Sequence, residues 1–472
     1  MNDNPDHTTQ RAGAQASSLC GRQASCLPVS ASLPPQAGSP RSAQAGSLCS
    51  ATRREFLKSS GAGALAAAIA FPHIVSAAPN TETLRVGLIG CGGRGTGAAI
   101  NALRADKNTA LVAVADLFEE RVQKCLEHVA KTQPEQMRVD KARCFLGFDA
   151  YQKVIASDVD VVLLVTPPAF RPQHLKAAIE AGKHAFAECI AAVDAPGIRS
   201  FLQSSELAAS KNLGILSGFC WRYDASARAA LEQMRAGAIG KVRAIYATYY
   251  RPSFTQHYGG QRHPEWTDLQ WQLRDWPDFL WLGGDLCIGL SGGHSVDKMS
   301  WWMDDVMPLK ALGVGGRQFP GEGNTFDHAQ IIYEYAGGVR GFLGVRCQDG
   351  CHNENADYII GSEGVCTIGK EPVPVITGAK PWRYAGKKNV MHQAEHDEFF
   401  ASIRAGRPIN DGKRMAHTSL MALMGRMAAY TGQEITWEQA LNSKEQLVPE
   451  TLDWNTKIEM TPAPQPGKTK FA

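Results

Sequence analysis

The chain has 472 residues, 44 % of them apolar and 20 % charged, with a formal net charge of +3. That length suits two domains with a sizeable core, and so even a charge balance gives no reason to expect nucleic acid or an anionic membrane surface as a partner. No apolar run reaches the ~18 residues of a spanning helix, and the 12 cysteines show neither a CxxC pair nor zinc-type spacing, which sets aside a metal site or disulfide framework.

Residues 1–50 are rich in Ser, Ala, Gly, Pro and Gln without periodicity, a composition expected to form a disordered extension. Residues 51–80 open with Thr52-Arg53-Arg54-Glu55-Phe56-Leu57-Lys58, continue through a mildly apolar stretch and end in Ser76-Ala77-Ala78. This is similar to a twin-arginine export signal, with a basic amphipathic helix as the alternative. The export reading implies a periplasmic or extracytoplasmic protein that folds, and loads any nucleotide, before transport.

Leu84–Gly97 reads as a buried parallel strand running into Gly90-x-Gly92-x-x-Gly95 and then a helix. The three glycines do different things. Gly90 turns the chain sharply, Gly92 (with Gly93 and Arg94) lets backbone amides approach a pyrophosphate, and Gly95 lets the helix pack closely on the sheet. A pyrophosphate would sit at the helix N-terminus, where free N–H groups and the dipole favour negative charge. A second apolar run ends in Asp116, 26 residues after Gly90. A carboxylate there accepts hydrogen bonds from ribose hydroxyls and repels a 2′-phosphate, so NAD is favoured over NADP.

From 81 to 210 strands and helices alternate as a doubly wound parallel sheet requires. The run Val159–Val165 is the clearest buried strand, and it ends in Thr166-Pro167-Pro168 at the ligand-binding carboxyl edge. A helix containing His174 follows, then the short strand Ala185-Phe186-Ala187, which ends at Glu188. Residues 211–440 are expected to form a second domain and 441–472 a C-terminal tail. Six of the ten tryptophans fall between 266 and 302. Rings such as Trp266, Trp271, Trp276 and Trp281 could face a sugar, with His257, His263, Arg274 and Asp275 as polar neighbours, or could equally fill core.

Together GCGGRG at 90–95, Asp116, Thr166-Pro167-Pro168 with His174, AGKHAFAE at 181–188, GFCWRYD at 218–224, GGHSVD at 292–297 and EHDEF at 395–399 resemble the Gfo/Idh/MocA oxidoreductases. The resemblance spans about residues 83–437. It implies an α/β protein: a Rossmann domain followed by a domain built on a large, mostly antiparallel sheet. The expected partner is a carbohydrate held between that sheet and the nicotinamide, in a homo-oligomer. It also implies cofactor contacts from Gly90, Gly92, Gly93, Arg94, Gly95, Asp116, Thr166, Pro167, His174 and Glu188.

Two departures from the family pattern stand out. Its usual Glu-Lys-Pro is here Glu188-Cys189-Ile190, and the acidic residue common four positions before the second-domain histidine is Leu290. Proton handling therefore falls first to His294, since a histidine titrates in the range such chemistry needs. Asp297 and Tyr223 complete the catalytic set expected from the sequence, with His263 weaker, while Cys189 is either an inert small residue or a redox-active thiol. Relatives without the lysine include NAD-dependent glycosidases, which oxidise a ring hydroxyl, eliminate the aglycone, add water and return the hydride. The alternatives to a sugar, glycoside or cyclitol dehydrogenase are thus a redox-neutral glycosidase and a silent nucleotide-bound sugar-binding protein.

Overall fold

In the computed structural model, strand β1 (Leu84–Ile89) is buried almost throughout and pairs in parallel with β2 (Thr109–Asp116) on one side and β4 (Val161–Leu164) on the other. The structure describes residues 82–253, 261–319 and 321–472, so the extension, the export segment and His257 lie outside it. With β3 (Cys144–Leu146), β5 (His184–Ala187) and β6 (Ile215–Ser217) the strands form a six-stranded parallel sheet in the order β3-β2-β1-β4-β5-β6. The strand order reverses between β1 and β4, which opens a crevice at their carboxyl ends. Helices α1 (Gly93–Ala105), α2 (Glu119–Thr132), α3 (Ala150–Ala156), α4 (Arg171–Glu180) and α5 (Ala195–Ser210) cover the sheet faces. Runs such as ALVAVA and VVLL are apolar at every position because both faces are covered.

The expected boundary at 210/211 is too early, since β6 at 215–217 completes this sheet. The division is also not contiguous. Helix α8 (Met391–Arg404) packs back on α1, where Asn101 Nδ2 donates to the His392 carbonyl, Gln393 Nε2 donates to the Asn101 carbonyl, and Arg404 pairs with Asp106.

After α6 (Ala225–Arg235), the second sheet has nine strands in the order β14-β13-β12-β11-β7-β10-β9-β8-β15. At its centre β7 (Val242–Arg251) runs parallel to β10 (Arg340–Cys347) and antiparallel to β11 (Asp357–Gly361). The neighbours are β8 (Lys310–Gly316) and β9 (His328–Glu334) on one side and β12 (Gly364–Ile368), β13 (Val375–Gly378) and β14 (Trp382–Arg383) on the other, with β15 (Ile435–Thr436) at the β8 edge. Alternation sorts the two faces. Ile245, Ala247, Ile331, Tyr333, Leu343 and Val345 are buried, on the side occupied by α7 (Gly292–Trp302) and α9 (Gly412–Thr431). On the other face Leu312, Ile332, Phe342, Tyr246 and Tyr358 line up in register across five strands. Helix α9 is buried nearly all round because it lies under the sheet and also meets the first domain, where Ser419 Oγ accepts from the Ala191 amide.

Of the tryptophans expected to face sugar or core, Trp271, Trp281, Trp301 and Trp302 are core. Trp281 Nε1 donates to Gln272 Oε1 at 2.6 Å, giving the buried indole the partner it needs. The tail from 443 packs against the body: the Leu447 amide donates to Asp194 Oδ2, and Trp454 meets the Phe148 ring at 4.9 Å. Among the described residues all nine cysteines are free thiols, seven of them buried, and no helix is long and apolar enough to cross a membrane.

Candidate functional site

A cleft of about 930 Å³ opens at the carboxyl ends of β1, β2 and β4 and extends to the start of α7. Its first part is the glycine turn. Gly90 takes φ +100°, and a Cβ on Gly95 would come within 1.8 Å of the Gly90 carbonyl, so only glycine allows the helix to start where it does. At Gly92 and Gly93 a Cβ would meet nothing within 4 Å. Gly92 is the N-cap of α1 and carries no capping side chain, so the first N–H groups of a 13-residue helix face the cleft for an anionic ligand.

Asp116 closes the end of β2. Its Oδ2 accepts the Cys91 amide at 2.7 Å and its Oδ1 the Phe118 amide at 3.1 Å, locking the glycine turn to the second strand. Burial raises its pKa, against the Arg121 charge and these amide bonds. An ionised carboxylate has about four acceptor sites, so acceptor capacity remains for ribose hydroxyls.

Thr166, Pro167 and Pro168 line the next wall, with His174 behind them. His174 Nδ1 lies 3.4 Å from Thr166 Oγ1, and the ring stacks between Tyr151 and Phe170. Burial, helped by the Arg171 charge, pushes its pKa down to about 3, so it is a neutral packing and hydrogen-bonding group. Arg171, which the sequence reading missed, is fully buried on this wall. Its guanidinium donates to the Thr166 carbonyl at 2.5 Å and to the Ile190 carbonyl, tying the ends of β4 and β5 together. Burial lowers its pKa to about 10, so it remains a cation at neutral pH.

At the end of β5, Glu188 Oε1 lies 2.8 Å from Arg94 Nε, an ion pair without hydrogen-bond alignment. Cys189 follows, and its Sγ lies 3.5 Å from His294 Nε2. His294 sits on the first turn of α7, with Phe219 edge-on at 5.8 Å and Tyr249 nearly parallel at 6.3 Å. Its Nδ1 is buried without a hydrogen-bond partner. Burial pushes its pKa down to about 4 despite the Glu188 and Asp297 charges, so the imidazole is neutral at pH 7. Ahead of it the chain makes two left-handed residues, Gly284 and Asp285, then one π-helical turn, Leu286–Ser291. Asp285 fixes that turn by accepting the Ile288 and Phe326 amides and the Tyr430 hydroxyl.

All ten expected cofactor residues line this one cleft, and His294 joins them from the second domain. Asp297 and Tyr223 do not. The Asp297 carboxylate is taken up by Arg222, Arg414 and Thr418, and the Tyr223 hydroxyl donates to Asp411, so both are removed from the catalytic set. His263 and Arg274 lie at a separate surface depression with Trp266, and of the four insert tryptophans only Trp276 lines the main cleft. Tyr249, Arg251, Ser291 and His392, unmarked by any motif, line it beside His294.

The geometry fits a dinucleotide: glycines leave room, helix amides face outward, and an acidic acceptor stands at the ribose position. The family model described as "Oxidoreductase family, NAD-binding Rossmann fold" matches residues 84–189. Similar curated proteins include a "Glycosyl hydrolase family 109 protein" of Shewanella amazonensis, 28 % identical over 47 % of this chain and 48 % of that protein. "Inositol 2-dehydrogenase 3" of Saccharopolyspora erythraea is 26 % identical over 55 % and 65 %. The chain thus spans less than two thirds of either relative's length. A solved levoglucosan dehydrogenase, in complex with NADH and levoglucosan, shares the fold at 17 % identity and a TM-score of 0.61, over 75 % of this chain and 99 % of that one. Residues 84–189 thus match the NAD-binding Rossmann domain of the Gfo/Idh/MocA oxidoreductase family, and the two-sheet architecture is the fold shared with the levoglucosan dehydrogenase.

Proposed function

We propose that the protein oxidises a hydroxyl of a sugar, glycoside or cyclitol, with His294 as the group that takes the hydroxyl proton. The observation that carries this reading is His294 itself: a neutral, half-buried imidazole that lines the dinucleotide cleft from the opposite domain. NAD, when bound, supplies the hydride acceptor. The chain's own share is to place the carbinol under Tyr249 and Trp276, exclude water and receive the proton on the His294 imidazole. The relatives acting on inositol and levoglucosan support the substrate class.

Cys189 in place of a cationic lysine, together with the glycosyl hydrolase family 109 relatives, favours a second reading, redox-neutral glycoside cleavage. There His294 would take up and return protons through transient oxidation, elimination and hydration. Incubating purified protein with sugars and glycosides separates the two. Net growth of nicotinamide absorbance marks a dehydrogenase, whereas aglycone release with deuterium uptake beside the oxidised carbon and no net absorbance change marks the second reaction. Neither signal across a broad panel would leave a silent sugar-binding protein.

Export by a twin-arginine signal in residues 51–80 is part of this proposal, and it suits a reaction that regenerates its own cofactor. So is a homo-oligomer, in which a second copy would cover the row Leu312, Ile332, Phe342, Tyr246 and Tyr358. Cell fractionation with and without Arg53 and Arg54 tests the first, and light scattering the second.

A further inference from the structure

Three groups from both domains meet at the cleft wall, Glu188 and Cys189 buried and His294 half-buried. Cys189 Sγ lies 3.7 Å from Glu188 Oε2 and 3.5 Å from His294 Nε2, and Glu188 Oε2 also accepts the Cys189 amide at 3.1 Å. A carboxylate only accepts, so the contact between Cys189 and Glu188 is made by the thiol proton. That uses the one hydrogen the sulfur carries. Toward His294 the sulfur can then only accept, so Nε2 must hold the imidazole proton and Nδ1 must be bare.

We infer that Cys189 is a positioning residue: with Glu188 as anchor, its thiol fixes His294 in the Nε2–H tautomer and so leaves the Nδ1 lone pair as the acceptor of the imidazole. The inference deepens the proposed function and rests on His294 being the base there. It accounts for two features at once: the unpartnered buried Nδ1, and the loss of the lysine, whose ammonium at position 189 could only donate to Nε2 and so favour the opposite tautomer. Burial first, and the Glu188 carboxylate second, push the thiol pKa well up, so the proton the line requires stays on sulfur at neutral pH. The same shift argues against Cys189 as a redox-active thiol, since reactivity needs thiolate. The arrangement resembles in logic a carboxylate that orients a catalytic imidazole, with a thiol between the two.

The test reads the tautomer directly. In protein labelled with 15N-histidine, the His294 resonances, assigned by their loss in His294→Ala, should show Nε2 protonated and Nδ1 bare, both as purified and after nucleotide removal. Cys189→Ala should mix the two tautomers and lower kcat roughly tenfold, the loss expected when one hydrogen bond fails to orient a base, with KM little changed. Cys189→Ser, which keeps one donor and an acceptor, should restore both the tautomer and most of kcat. Wild-type His294 protonated on Nδ1, or an Ala variant with an unaltered histidine spectrum, would overturn the inference, and unchanged near-ultraviolet circular dichroism would exclude misfolding as the cause. An active His294→Ala variant would instead remove the base reading while leaving the tautomer result standing, so the two failures are distinguishable.

Discussion

Arg222 Nε lies 3.0 Å from both carboxylate oxygens of Asp297, which joins the strap after β6 to the helix that carries His294. The same guanidinium reaches Asp305, and Asp297 also receives Arg414 and Thr418. Arg222 and Asp297 are both almost fully buried. Truncating Asp297 leaves Arg222 paired with Asp305 alone and removes its hydrogen bonds to a charged group, at a cost of roughly 1.5–3 kcal/mol. Asp297→Ala should therefore lower the unfolding midpoint by several degrees while the folded fraction still binds NAD. If melting stayed unchanged and turnover vanished, Asp297 would belong to the chemistry after all.

The parts of this site legible in the sequence are those made by neighbours in the chain. Gly90 to Gly95 form one turn, and Asp116 closes the strand beside it, so residue type and spacing suffice. Asp297 misled because the GGHSVD segment puts it one turn from His294, while its real partner, Arg222, is 75 residues away. The contact between Cys189 and His294 spans 105 residues, and no periodicity encodes it. Arg171 was invisible for a similar reason: its ligands are backbone carbonyls, which leave no trace in side-chain pattern.

Asp116 holds the glycine turn as well as serving the ribose. Asp116→Asn keeps an acceptor for one amide but removes the charge that opposes a 2′-phosphate. Calorimetric titration of nucleotide-free protein should show NAD affinity falling by about 1–3 kcal/mol, with NADP affinity nearly unchanged or higher. Equal affinities for the two nucleotides in the wild type would remove Asp116 from cofactor selection.

His294 should remain a working base well below the usual histidine range. Its folded pKa is depressed to about 4 by burial, so the acid limb of kcat/KM that it controls should fall near pH 4 rather than near the ordinary ~6.5. The sign for stability follows. A depressed histidine contributes stability that is full above its unfolded pKa and is lost as pH falls from there toward the folded value, because only the unfolded chain gains the proton readily. His294→Ala should reduce turnover by roughly 10²–10⁴-fold and flatten that acid loss. A limb fixed near the ordinary ~6.5 would mean that the imidazole is solvated in the working enzyme.

Glu395 should make the protein less stable as pH rises toward neutrality, the reverse of the usual carboxylate. It is fully buried on α8, and neither oxygen has a hydrogen-bond partner. His392 Nδ1 is 3.6 Å away and His396 Nδ1 3.7 Å, both outside bonding range. Burial raises its pKa from 4.5 to about 7, against His392 and with the Glu188 charge adding to the rise. A folded pKa above the unfolded one gives stability that is fully present below pH 4.5 and is lost as pH climbs through about 7. At about 1.36 kcal/mol per unit, the loss approaches ~3 kcal/mol. Glu395→Gln keeps the shape and removes the proton, so its urea midpoint should be similar to wild type near pH 5 and higher at pH 8. A variant no more stable than wild type at pH 8 would show that the carboxyl ionises in the fold without penalty, through water or a nearby cation such as Arg94.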